Sequence, residues 1–168
     1  MGANVSKQFQ ITEDLYASHS QRFLNLVIDT FMLLILFFLS LVFLIAIMEL
    51  NGNKNFPDSF VKNQIAQYTF VSCISLCYYN FFEILLARTI GKLITQTTVV
   101  TANGERPCHE TILIRSLCRL IPFNAISFLG ITPRGWHDSI SKTYVVKTKL
   151  LEERMRASQL LNNRTAEA

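Results

Sequence analysis

The stretch SQRFLNLVIDTFMLLILFFLSLVFLIAIM, Ser20–Met48, decides what kind of protein this is. Phe31 to Met48 contains one polar residue, Ser40. Taken as a helix from Phe23, the run spans ~39 Å, long enough to cross a bilayer with some tilt. Yet Asp29 lies inside it and Arg22 stands at its threshold. A carboxylate at the centre of a spanning helix costs ~2.5–3.5 kcal/mol on insertion scales, so Asp29 is expected to face protein groups rather than acyl chains.

The rest of the composition agrees with a membrane class. Half of the 168 residues are hydrophobic and only 17% are charged, with 13 Phe, an unusual balance for a soluble domain of this size. No basic-and-aromatic alternation or zinc spacing points to nucleic acid. Glu13 and Asp14 precede the run and Glu49 follows it, unlike a secretory signal with its basic leader and small-residue cleavage site. A second candidate span, residues 65–87, is long enough but far more polar, with Ser72, Tyr78, Tyr79, Asn80 and Glu83. Small and hydroxylated residues of this kind serve close helix packing in a membrane.

The basic residues set an expected topology. Two Lys/Arg precede the first span, two lie between the spans (Lys54 and Lys62), five run from Arg88 to Arg119, and seven follow from Arg134 onward. The positive-inside rule then puts both termini and the Arg88 region in the cytoplasm. A third apolar segment, residues 111–131, conflicts with this if it crosses, because it would carry the basic tail outside. Arg115 and Arg119 lie one turn apart in it and Pro122 interrupts it, which reads as an amphipathic element with a short return: a re-entrant or interfacial hairpin rather than a full third span. Two β-branched runs flank it, Thr95–Val100 and Thr143–Val146, and can pair only on one side of the membrane; Asn103-Gly104 supplies a turn. The expected fold is therefore an all-α membrane protein with two spans (about 23–48 and 65–87), a third helical segment, and two short cytoplasmic strands. Residues 1–16 form a polar cytoplasmic lead, 17–147 the membrane domain, and 148–168 a cytoplasmic, modestly amphipathic tail.

Helical spacing places Ser18, Arg22, Asn25, Asp29 and Ser40 on one face of the first helix. In an antiparallel pair Asp29 lies ~10 Å in from Arg22, while Glu83 and Asn80 lie ~8 and ~12 Å in from Arg88. Asp29 is thus expected to meet Asn80, Glu83 or an arginine. Two states are open to it: a clamp paired permanently to Arg22 or Arg119, or a group beside Glu83 that exchanges protons or binds a cation.

Arg22 and Asp29 in QRFLNLVIDTF, RTIGKLITQTTVVTANGERP (Arg88–Pro107), RSLCRLIPFNAISFLG and RGWHDSISKTYVV with Asp138 together resemble the RDD family of small membrane proteins, named for one Arg and two Asp. The likeness covers Ala17 to about Lys147; the short third apolar segment, broken at Pro122, departs from the pattern. It implies a mostly bacterial family with two spans, no settled activity, and transport of an unidentified ligand as a common suggestion. Carried over by position, the named residues are Arg22, Asp29 and Asp138, and the expected location is a bacterial inner membrane.

The candidate ion or transport residues are accordingly Arg22, Asp29, Asn80 and Glu83, each with a plainer reading as a packing ion pair or a side chain snorkelling to water. Arg115 and Arg119 are candidates for anion or lipid-headgroup contact. His137 and Asp138 form a cytoplasmic motif in which Asp138 either caps a short helix through Ser141 or makes a gating contact with Arg119 or Lys92. The four cysteines lack metal-ligand spacing, Ile90-Gly91-Lys92 is too little for a phosphate loop, and no nucleophile-and-base pair is present; no metal, cofactor or enzymatic activity is expected. Two functions remain: a small transporter or ion-coupled permease, oligomeric or with a partner membrane protein because two spans enclose too little space for a small solute or ion, or a non-transporting scaffold that binds a cytoplasmic partner.

Overall fold

The structure, a computed structural model, describes residues 9–52, 56–121, 124, 127, 130 and 134–167. The longest helix, α1 (His19–Leu50), begins where Ser18 caps it: the Ser18 hydroxyl accepts the Gln21 N–H while the Gln21 side chain accepts the Ser18 N–H, a reciprocal capping box. A short helix α2 (Phe56–Lys62) leads to α3 (Gln64–Leu86), which starts at the Asn63 cap and stops at Ala87 in the left-handed conformation. Phe37 packs on Phe70 and Asp29 meets Tyr78, so α1 and α3 run antiparallel.

The two helices are inside out by the standards of a water-soluble protein. The buried residues of α1 are Arg22, Asn25 and Asp29, whereas Phe38, Val42 and Phe43 are 60%, 65% and 68% exposed. Such an exterior is stable against hydrocarbon and not against water. Both helices are long and apolar enough to cross a membrane, matching the two expected spans within a few residues.

Beyond α3 the chain repeats one device twice. Helix α4 (Ile90–Ile94), a left-handed Gln96 (φ 55°) and strand β1 (Thr97–Thr101) form the first unit. Helix α6 (Trp136–Ile140), a left-handed Lys142 (φ 52°) and strand β2 (Thr143–Lys147) form the second. Each carries the same hydroxyl pair across the turn into its strand: Thr95 to Thr97 at 3.0 Å and Ser141 to Thr143 at 2.9 Å. The strands pair antiparallel with Val99 opposite Val145, so a local two-fold relates the units. Strand alternation sends Val100 and Val146 into a small core with Leu15 and Leu151, and Val99 and Val145 against Ala17 on the other face. Leu151 belongs to α7 (Thr148–Glu167), which continues from β2 and forms the tail helix.

Between the units lies α5 (His109–Cys118), ten residues and too short to cross a bilayer. It buries Ile112, Arg115, Ser116 and Cys118 and exposes Leu113, Ile114 and Leu117, repeating the inverted arrangement of α1. The return expected after Pro122 lies largely outside the described residues. Gly104, in the turn after β1, has φ 80° and donates its N–H to Thr101 O at 3.0 Å, a backbone that glycine adopts without strain.

Helix α4 approaches α1 closely because Gly91 has no side chain. A Cβ there would meet the Asn25 carbonyl oxygen at 2.7 Å and Asp29 Oδ1 at 2.9 Å, and the first of these is backbone that cannot swing away. Gly91→Ala is therefore expected to cost about 1–3 kcal/mol through overpacking. A lowered thermal midpoint of the detergent-solubilised protein checks this; an unchanged midpoint contradicts the packing described.

Candidate functional site

The site is built on the polar face of α1. Asn25 donates to Thr97 Oγ1 at 3.1 Å and accepts from Thr95 Oγ1 at 2.5 Å, tying α1 to the first helix–strand unit. One turn on, Asp29 is buried and accepts three hydrogen bonds: Tyr78 Oη at 2.8 Å and the Gly91 N–H at 2.9 Å on Oδ1, and Thr89 Oγ1 at 2.6 Å on Oδ2. Two of these donors lie at the start of α4, where free N–H groups favour a carboxylate. Asp29 thereby joins α1, α3 and α4 at one point.

Beside it lies a buried ion network. Glu83 of α3 contacts Lys92 Nζ at 2.6 Å, Arg119 Nη2 at 2.9 Å and Arg115 Nε at 3.6 Å. Asp138 of α6 contacts Arg115 Nη2 at 2.6 Å and is ion-paired to Arg22 of α1. It also reaches back to accept the Gly135 N–H at 3.1 Å, capping its own helix. Arg115, 0% exposed, lies between the two carboxylates. Arg119 is held over the Tyr79 ring, 3.9 Å from its centre.

The charges follow from these surroundings. Burial pushes Lys92 down to about 8 despite the attraction of Glu83, so it stays largely protonated at neutral pH. Burial alone would raise Asp138, but the His137 ring, Arg22 and Arg115 outweigh it and hold the carboxyl well below the usual carboxylate range. Burial also holds His137 well below its ordinary value, leaving the ring neutral near pH 7. Both ring nitrogens face oxygens, Asp138 Oδ1 at 3.2 Å and Asn124 Oδ1 at 3.1 Å; the neutral ring can donate to only one, and the carboxylate is the stronger acceptor.

A cavity of about 230 Å³ opens among these groups, with Arg22, Asn25, Asp29, Lys92, Arg115, Arg119 and His137 in its wall. Among the described residues, the four cations Arg22, Lys92, Arg115 and Arg119 stand against the three carboxyls Asp29, Glu83 and Asp138. With every carboxyl ionised, one positive charge remains over.

The sequence candidates are largely gathered here, with different partners. Arg22 pairs with Asp138, and Asp29 accepts from the neutral donors Tyr78, Thr89 and Gly91. Glu83 is 0% exposed and buried among cations rather than reaching for water past Arg88. Arg115 turns inward. Asp138 both caps its helix and joins Arg22 and Arg115, while Arg119 and Lys92 belong to Glu83. Asn80 is the exception: its side-chain amide donates to Leu76 O within its own helix at 2.8 Å. Ser40 likewise bonds back to Leu36 O and Phe37 O. Tyr78, Thr89 and Gly91 were not singled out as partners of Asp29; the one cue was Thr-Ile-Gly opening a short helix, a cap whose N–H groups need an acceptor.

His137 and Asp138 bind fewer protons folded than unfolded, so unfolding takes up protons and stability falls on acidification. The His137 contribution begins to be lost as pH falls below its ordinary 6.5, and that of Asp138 below 3.8, each continuing toward the lower folded value. Thermal midpoints from pH 8 downward are expected to drop below 6.5 in the native protein, and His137→Gln to flatten that first limb. Identical pH profiles for the two proteins would contradict the assigned state of His137.

No curated protein and no solved structure matches the chain. The model of the RDD family matches residues 16–142. That stretch begins just before α1, ends just before β2, and contains Arg22, Asp29 and Asp138, the three residues whose interactions tie the two spans to the helix–strand units; the chain belongs to the RDD family.

Proposed function

We propose that this membrane-type protein is a subunit of a small-solute or ion transporter, with the cavity beside Asp29 as its binding chamber. The supporting observation is the chamber itself: ionisable groups from α1, α3, α4, α5 and α6 meet around a space of about 230 Å³ near the end of two helices suited to crossing a bilayer. Ionisable residues within membrane helices mark ion and substrate pathways by default. In this reading the α4 end of the spans is cytoplasmic, the Arg22–Asp138 and Arg115 contacts set the shape of the chamber, and Asp29 takes up and releases a proton or cation as its Tyr78 and Thr89 hydrogen bonds exchange. Two spans do not enclose a full path, so further copies or a partner membrane protein complete it.

One observation favours a scaffold instead. Helix α7 packs through Leu151, and then carries Leu160 and Leu161, each 64% exposed. If that face holds a cytoplasmic partner, truncation after Lys147 releases the partner and Asp29 substitutions do not.

Asp29→Asn separates charge from geometry. The amide oxygen can still accept from Tyr78 and Gly91, and the amide nitrogen can donate to the Thr89 hydroxyl, which both gives and receives hydrogen bonds. The variant is expected to stay folded while losing at least about tenfold in flux, equivalent to ~1.4 kcal/mol on the barrier. Proteoliposomes loaded with a pH-sensitive dye for protons, and matched tracer uptake of sodium, potassium, chloride and phosphate under imposed gradients, give the readout. Flux equal in the native protein and the variant would remove Asp29 from the cycle, and no flux above protein-free liposomes for any of these would count against transport.

A further inference from the structure

Two neighbouring spaces in the protein differ in character and share a wall. The first is the polar chamber. The second is an apolar groove of about 300 Å³ between α1 and α3, lined by Leu33, Leu34, Phe37, Val71 and Ile74. Thr30, Leu33 and Ser75 border both, so the groove continues from the chamber along the spans, away from the Arg22 end of α1. Each is small for an organic ligand, since such pockets run from ~300 Å³ upward; joined, they fall inside that range.

The chamber also has unspent capacity for negative charge. Among the described residues its cations outnumber its carboxyls, and Arg115 Nη1 and Arg119 Nε are buried guanidinium nitrogens with no hydrogen-bond acceptor, while Arg115 Nε and Glu83 Oε2 have only their contact with each other at 3.6 Å. A buried donor without an acceptor is costly, and a guanidinium is suited to planar, oxygen-rich anions. Neutral donors already satisfy Asp29, which leaves the excess charge on the Arg115–Arg119 side.

We propose that chamber and groove together bind one anionic membrane amphiphile, its phosphate or carboxylate head against Arg115 and Arg119 and one acyl chain along Leu33, Leu34, Phe37 and Val71. The proposal rests on the reading of the chamber as a ligand site and names the ligand's class. Orientation supports a bilayer lipid over a free anion. The polar chamber lies toward the ends of the spans, where headgroups sit, and the groove runs from it along the apolar helices, as an acyl chain does. Arg22, in the chamber wall, is ion-paired to Asp138. The ligand is bound, not transformed.

The test uses the full-length protein purified in a neutral detergent. Dioleoyl phosphatidylglycerol, dioleoyl phosphatidylcholine and inorganic phosphate are compared by retained mass under native ionisation and by shift of thermal midpoint. Phosphatidylglycerol is expected to be retained at one per chain and to raise the midpoint, with phosphatidylcholine at least about tenfold weaker and inorganic phosphate without effect. Arg119→Gln is expected to lose most of the preference for phosphatidylglycerol; Glu83 keeps Lys92 and Arg115 in that variant, so the fold has support. Leu34→Trp fills the groove from a half-exposed position and is expected to weaken retention of the acyl chain while leaving the ion network untouched. Equal retention of the two lipids, or a midpoint raised as much by inorganic phosphate, overturns the proposal whatever the flux assay shows. Selective retention without flux leaves it standing and overturns only the transport reading.

Discussion

Arg115 is the residue on which the arrangement turns. Its guanidinium is fully buried between Glu83 of α3 and Asp138 of α6, and Asp138 in turn holds Arg22 of α1. Burying such a cation costs several kcal/mol, and only close carboxylates with good geometry offset it. The constraint therefore works in both directions: the carboxylates need Arg115, and the helices that carry them must stand where Arg115 can reach. Removing one member leaves an unpaired buried charge, which costs more than the pair contributes. That asymmetry fixes how the two spans, the short helix α5 and the second helix–strand unit meet.

Asp29 does the complementary work for the first unit. Arg22 at the head of α1 addresses α6 through Asp138, and Asp29, seven residues further on, addresses α4 through Thr89 and Gly91. One helix face thus binds both copies of the helix–strand device, using a cation for one and an acid for the other. The pairing of β1 with β2 ties the two copies to each other while α1 holds each of them from its polar face. The chamber is the space left between these contacts.

Much of this was legible in the chain, for identifiable reasons. A long apolar run and a β-branched run each carry their own signal, so α1, α3, β1 and β2 fall within a few residues of their expected places. The 3.6-residue period put Arg22, Asn25 and Asp29 on one face, and these three are the buried residues of α1. Partner choice was not legible, because it depends on where α4, α5 and α6 fold back against the spans. Glu83 draws its cations from residues 92, 115 and 119, and Asp29 draws donors from a helix start that has no apolar pattern of its own. One signal was present and went unread: ITQTTVV (Ile94–Val100) and ISKTYVV (Ile140–Val146) are two copies of one short pattern, and the structure turns that likeness into a local two-fold.

Arg115 and Asp138 are coupled inside the protein rather than near each other by accident. A double-mutant cycle with Arg115→Gln, Asp138→Asn and the double variant, measured by reversible unfolding in mixed micelles, tests that directly. Each single change is expected to cost about 3–5 kcal/mol. The double variant is expected to cost less than their sum by at least ~1 kcal/mol, the mark of a shared interaction. Strict additivity, or single changes that cost almost nothing, would contradict it.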